Sequence, residues 1–224
     1  MPSLLKIKMQ WRNQAFRDHQ RKLDEAILIV RQGGVVAYPT ESFYGLGADP
    51  FNDSALERIF QIKGREATKP ILLLIGSREK VYELANDVPQ EATFLMENFW
   101  PGPLTIVFEA SSSIGPLIHC GTNKVGLRIS PHPVALALAK ALGAITGTSC
   151  NLSGQEGLTT SKQVREILGH KIDLILDWEI PCMGVPSTVV DITKGHLKVL
   201  RKGQISEQEL IKALKKKFDI PSQI

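Results

Sequence analysis

Val35-Val36-Ala37-Tyr38-Pro39-Thr40-Glu41-Ser42-Phe43-Tyr44-Gly45-Leu46-Gly47 is a short apolar run cut off by a proline and followed by hydroxyl groups and glycines. The first four residues suit a buried strand, which Pro39 ends because it has no N–H to give to a ladder. The polar stretch behind it, 39–47, reads as a loop at a strand end, a favoured position for a ligand site in an open α/β sheet. Upstream, Leu23, Ala26, Ile27 and Val30 recur at helical spacing before Gly33-Gly34, which predicts an amphipathic helix over 18–32 with a glycine stop. Downstream, Asp53 to Gln61 forms a second helical pattern with Asn52 or Asp53 as N-cap. Ile71-Leu72-Leu73-Leu74-Ile75 then has the unbroken apolar character of a strand covered on both faces.

The rest of the chain continues the alternation. Further helices are predicted at 77–85, 90–99, 133–142 and 206–217, the last capped by Ser206 with Glu209 three residues on. Strands are predicted at 104–109, 125–129, 145–148, 174–177, 188–192 and 196–200, with Trp100-Pro101-Gly102-Pro103 as a rigid turn. No repeat or linker divides the chain, so one α/β domain over 18–217 is expected, between a basic N-terminal arm at 1–17 and a tail at 218–224.

With 43% hydrophobic and 22% charged residues over 224 positions, the composition is that of a soluble globular protein, and no apolar run suggests a membrane span. Leu4-Leu5 before Lys6 is too short for a secretory core, and Cys120, Cys150 and Cys182 contain no Cys-x-x-Cys pair. Both point to reduced thiols in a cytoplasmic protein. The net charge of +4 gathers at the ends: Lys6, Lys8, Arg12, Arg17, Arg21 and Lys22 stand against Asp18 alone. Such an arm suits RNA phosphates or simply a solvated terminus.

The sequence has no Walker-type phosphate loop, no complete dinucleotide fingerprint, no Gly-x-Ser-x-Gly and no His-Glu-x-x-His, and its five histidines are scattered. No metal-ligand set is expected. Lys63, Arg65 and Lys69 lie within one short stretch; spacing alone favours a solvent-exposed charged loop, although a polyphosphate would also satisfy them. Thr146-Gly147-Thr148-Ser149-Cys150-Asn151-Leu152-Ser153-Gly154 follows a strand with donors and acceptors that fit an anion or an ordinary turn equally.

Taken in order, seven blocks resemble the successive motifs of the YrdC/Sua5 family, from about Leu23 to Leu214. They are Pro39 to Gly47, Lys63-Gly64-Arg65, Phe99 to Thr105, Leu127-Arg128-Ile129-Ser130-Pro131-His132-Pro133, Ser149 to Gly154, Ser187-Thr188-Val189-Val190-Asp191 and Leu200-Arg201-Lys202-Gly203. The resemblance implies a single YrdC-like α/β domain, with a large twisted mixed β-sheet and flanking helices around a positively charged concave cavity. It implies an enzyme, an L-threonylcarbamoyladenylate synthase. Such a nucleotidyltransferase converts L-threonine, bicarbonate and ATP, with Mg²⁺, to threonylcarbamoyl-AMP and pyrophosphate, for N6-threonylcarbamoyladenosine at position 37 of tRNAs reading ANN codons. A downstream threonylcarbamoyl transferase complex and tRNA are then the expected partners.

By the same resemblance Thr40, Arg128, Ser149 and Ser187 surround threonine. Lys63 and Arg65 are the catalytic pair at the nucleotide phosphates, and Lys69, Asn151, Thr159 and Arg201 contact ATP. Leu74, Lys69 and Cys150 depart from the common pattern, which has His, Asn and Ala there. Lys-Gly-Arg and Ser-x-Asn are both present, unlike in the YciO type, and the length matches the short YrdC type without the Sua5 C-terminal domain. The competing expectation is a non-catalytic module of the same fold that holds structured RNA.

Overall fold

The computed structural model describes residues 4–64, 69–177 and 182–218, with side chains from residue 18 onward. Its first half runs α1 (Leu4–Arg31), β1 (Val36–Pro39), β2 (Tyr44–Gly47), α2 (Asp53–Lys63), β3 (Leu73–Ile75), α3 (Val81–Leu84), α4 (Gln90–Phe99), β4 (Leu104–Glu109) and α5 (Pro116–His119). It continues with β5 (Lys124–Arg128), α6 (Pro133–Leu142), β6 (Ala144–Thr146), β7 (Thr148–Ser149), α7 (Ser161–Leu168), β8 (Leu174–Ile175), β9 (Thr188–Asp191), β10 (Lys198–Arg201) and α8 (Glu207–Phe218).

The strands form two mixed sheets, β7-β2-β1-β8 and β10-β9-β4-β5-β3-β6. In the larger, β3 runs parallel to β5 and β4 parallel to β9, while the remaining neighbours are antiparallel. The segment 144–149 joins the two: β6 is an edge of the six-stranded sheet and β7 an edge of the four-stranded one, with Gly147 between them. A Cβ at Gly147 would lie 2.6 Å from Leu72 Cδ1 and 3.0 Å from Leu74 Cγ, so any other residue there would have to push these two leucine side chains aside. Thr146 stitches the seam, donating to Leu46 O (2.8 Å) and accepting from Ala48 N (2.9 Å), while Tyr38 Oη donates to Thr146 O (2.7 Å).

Apolar side chains pack on both sides of this framework. Leu56, Ile59, Leu95, Met96, Ile118 and Leu210 from the helices close one core over Leu73, Ile106, Phe108 and Leu127. Ala26 and Val30 of α1 with Leu138 and Ala139 of α6 close another over Val36, Tyr38, Leu74 and Ile145.

Several expectations shift. The first helix starts at Leu4 rather than 18, and the helix expected at 77–85 is confined to Val81–Leu84. The loop expected over 39–47 contains β2, paired antiparallel with β1 from Val36↔Gly47 to Pro39↔Tyr44. The strand expected at 145–148 is divided at Gly147, and α7 stands where no helix is expected.

Candidate functional site

α2 carries the first site residue. Asn52 caps it by accepting from Ala55 N (3.0 Å), and Gly64 ends it in the left-handed conformation (φ 56°). Lys63 in its last turn is only 3% exposed. Its ammonium does not face solvent, as a charged loop would have it, but donates to Ser149 O, Asn151 O (3.0 Å) and Asn151 Oδ1 (2.9 Å). Its carbonyl accepts from Ser153 N (2.9 Å), so the end of α2 and the loop 149–153 are held at both ends of one residue.

That loop is internally satisfied. Asn151 Oδ1 also accepts from Ser149 Oγ (2.6 Å), and Asn151 Nδ2 donates to Leu152 O (3.0 Å) and Gln155 O (2.6 Å). Two donors and two carbonyl acceptors fix which end of the amide is oxygen. Ser149, having given its proton to Asn151, turns only lone pairs toward a ligand. Cys150 between them points into the core, where burial pushes its thiol up to about 12 and Lys63 only partly opposes it.

Thr40 belongs to a turn of its own. Its hydroxyl donates to Phe43 O (2.7 Å) and accepts from Ser42 N (3.1 Å) and Phe43 N (3.2 Å). Next to it Glu41 meets Arg128 from the end of β5, Ser42 Oγ (2.9 Å) and Ser130 Oγ (2.5 Å). Arg128 is 3% exposed, and its Nε has no hydrogen-bond partner among the described residues. Burial pulls its pKa down to about 10, with Tyr38 opposing and Arg201 reinforcing, which leaves it cationic at neutral pH. Arg201, ending β10, donates to Ser187 O from Nε (3.1 Å) and Nη2 (3.0 Å), and to Ser187 Oγ (2.9 Å). Ser187 Oγ also lies 3.0 Å from Thr105 Oγ1.

These groups surround one cavity of about 250 Å³ at the seam of the sheets. Thr40, Arg128, Ser149, Asn151, Ser187 and Arg201 all line it, as the motif order implies, with Phe43, Leu72 and Gly147 among the apolar wall. Lys63 stands directly behind the wall. Lys69 is exposed beside the lining residue Pro70, and Thr159 lies off the lining, bonded to Gln163 Oε1 (3.2 Å). Arg65 falls outside the described residues. Leu74, fully buried beneath Gly147, and Cys150 depart from the common pattern in the core and not on the cavity surface. Glu41 and Ser130 were not singled out from sequence; the signal was an acid set between two hydroxyl residues at a strand end.

Among the described residues no group of His, Cys, Asp and Glu is arranged to hold a metal ion, and no helix is long and apolar enough to cross a membrane.

The chain is similar to several known proteins. A family model described as Sua5/YciO/YrdC, telomere recombination, matches residues 28–203. A threonylcarbamoyl-AMP synthase of Pyrococcus abyssi is 37% identical over 199 residues, 88% of this chain and 58% of that protein, so the chain spans little more than half of that relative's length. One from Thiobacillus denitrificans is 38% identical over 77% of this chain and 90% of its own length. Among solved structures, that of P. abyssi Sua5 complexed with L-threonine superposes with a TM-score of 0.83 at 37% identity, over 86% of this chain and 57% of that one.

Proposed function

The chain belongs to the Sua5/YciO/YrdC family, and from that premise we propose that it is an L-threonylcarbamoyladenylate synthase acting on L-threonine, bicarbonate and ATP. The observation that carries this is the cavity itself, where two arginines, Arg128 and Arg201, meet a ring of hydroxyl groups. A guanidinium edge suits the carboxylate of an amino acid in a forked pair. Ser149 and Ser187 both line the cavity, and their hydroxyl groups are of the kind that can hold threonine's amine and hydroxyl.

Threonine's amine and bicarbonate first give N-carboxythreonine with loss of water. Its new carboxylate attacks the α-phosphorus of ATP, the P–O bond to the β-phosphate breaks, and pyrophosphate leaves with the electron pair. The attacking group is already an anion, so the protein's task is to position it and to offset charge. ATP enters as its magnesium complex, a substrate. Arg201, with Arg65, Lys69 and Thr159, is assigned to the nucleotide. Lys63 and Asn151 are assigned to the same end of the site, and they act by holding the loop that carries Ser149, since their hydrogen bonds are spent on it. The product is a mixed anhydride, and a transferase that delivers its threonylcarbamoyl group to a tRNA adenosine is the partner it calls for, in the cytoplasm.

The test is pyrophosphate release by the purified protein with ATP, Mg²⁺ and bicarbonate, with and without L-threonine, and the mass of the product. Release that depends on threonine and bicarbonate, with a threonylcarbamoyl adenylate formed, is the expected result. No release, together with salt-sensitive binding of structured RNA, would replace the enzyme by the binding module.

A further inference from the structure

Glu41 is the carboxylate set against the cavity's arginine. Its Oε1 accepts from Arg128 Nη1 and from Ser42 Oγ (2.9 Å), its Oε2 accepts from Ser130 Oγ (2.5 Å), and its carbonyl accepts from Met183 N (3.0 Å). The ion pair is nearly sealed, with side chains 4% and 11% exposed. Burying two charges costs desolvation, and apolar groups of the same size commonly serve stability as well, so stability alone does not account for the pair.

The guanidinium is also not saturated. Arg128 lines the cavity while its Nε stays buried without a partner among the described residues. Gripped at Nη1 and only 3% exposed, the planar guanidinium has little freedom to turn, so its remaining N–H groups meet a second carboxylate over a narrow range of angles. Two carboxylates on one cation would repel, but Arg201 lines the same cavity and Lys63 lies behind its wall, so a second anion is still offset.

We propose that Glu41 is a positioning residue for the substrate carboxylate: it grips Arg128 by one nitrogen and so sets the orientation in which the rest of the guanidinium receives threonine. This rests on the threonine reading of the cavity. Ser42 and Ser130 are part of the device, because their hydroxyl groups hold both oxygens of Glu41 in place.

The test is pyrophosphate release measured against threonine at saturating ATP, and against ATP at saturating threonine, with a thermal melt of each variant. Glu41→Gln keeps the size but gives up the charge, and is expected to raise the KM for threonine about tenfold while the KM for ATP stays within about twofold. Glu41→Asp, which keeps the charge, is expected to lie closer to the unaltered protein. Should Glu41→Gln fail to fold, Ser130→Ala removes the hydroxyl that steadies Oε2 and that also accepts from His132 N (3.2 Å), and is expected to raise the threonine KM about threefold with the KM for ATP within about twofold. An unchanged threonine KM, or an equal rise in both KM values, would overturn the proposal. A lowered threonine KM would also overturn it and make Glu41 a competitor for the guanidinium. If the unaltered protein shows no threonine-dependent release, the proposed function falls and takes this inference with it; activity with an unmoved threonine KM in the variants removes only the role of Glu41.

Discussion

At Lys63 a charge expected to meet phosphates donates, in the fold, to carbonyl oxygens. Three acceptors at the ends of its ammonium, and Ser153 N on its carbonyl, make it the peg on which the Ser149–Asn151 loop hangs. Lys63→Ala would leave Ser149 O, Asn151 O and Asn151 Oδ1 short of a donor in a buried place, at a cost of about 1–3 kcal/mol of folding stability. The same variant should lose threonine-dependent pyrophosphate release, because Ser149 and the cavity wall move with the loop. Urea unfolding followed by fluorescence checks the first part; a variant as stable as the parent would mean that the ammonium is not the peg. Lys63 also explains why residue type and spacing were not enough here. Lys-Gly-Arg predicts a cation near a ligand, whereas which way the lysine turns depends on the loop arriving from residues almost ninety positions later, a tertiary fact.

Between β10 and α8 the chain passes so close to the entrance of β9 that Gly203 has no room for a side chain. A Cβ there would sit 2.4 Å from Pro186 O, Ser187 C and Thr188 N, all of them backbone atoms. Gly203→Ala is therefore expected to destabilise the fold by about 1–3 kcal/mol, as overpacking does, and to lower activity by shifting Ser187 against Arg201. A thermal melt and the pyrophosphate assay on the same preparation test it; full stability would mean that the strand entrance yields more easily than its contacts suggest. Elements with a strong period were legible in the sequence: α4 (Gln90–Phe99), β4 (Leu104–Glu109) and α6 (Pro133–Leu142) fall on the expected boundaries. β2 was not, since Tyr44-Gly45-Leu46-Gly47 has little strand propensity and is held by pairing with β1 and β7. α7 was missed although Val164, Ile167 and Leu168 stand at helical spacing and its capping box of Thr160 and Gln163 was there to be read; the stretch is only eight residues long, and just Val164 and Leu168 of it are buried. The break at Gly147 lies where the side chains of Leu72 and Leu74 leave little room, a neighbour relation that the local sequence does not show.

Across the whole molecule, two carboxylates join segments far apart in sequence. Asp173, just before β8, accepts from Arg58 of α2 through both oxygens (2.5 and 2.8 Å) and from Val35 N at the start of β1 (2.7 Å). Those hydrogen bonds, Arg58 foremost, hold its pKa below the usual carboxylate value despite partial burial. Asp191 at the end of β9 pairs with Lys124 of β5 (2.6 Å); burial pushes its pKa up, but the bonds from Lys124 and Thr193 outweigh that and leave it lowered. A carboxylate whose folded pKa lies below its unfolded one adds stability that is present above the unfolded value, near 3.8, and is lost as the pH falls through the folded value. Both groups therefore place the loss on the acid side, below about pH 4, and neither contributes to any change between neutral and mildly alkaline pH. Asp173 and Arg58 are each more than a third exposed, so screening by solvent and salt trims what the pair is worth. The melting temperature should thus be nearly level from neutral pH down to about 5 and fall steeply below about 4. Arg58→Ala should start lower and fall less over that acid range, because Asp173 then titrates closer to its unfolded value and less stability remains to be lost. A parallel fall in the variant would show that Asp173 is held by Val35 N alone, and that the link from α2 to the sheet does not carry the acid sensitivity of the fold.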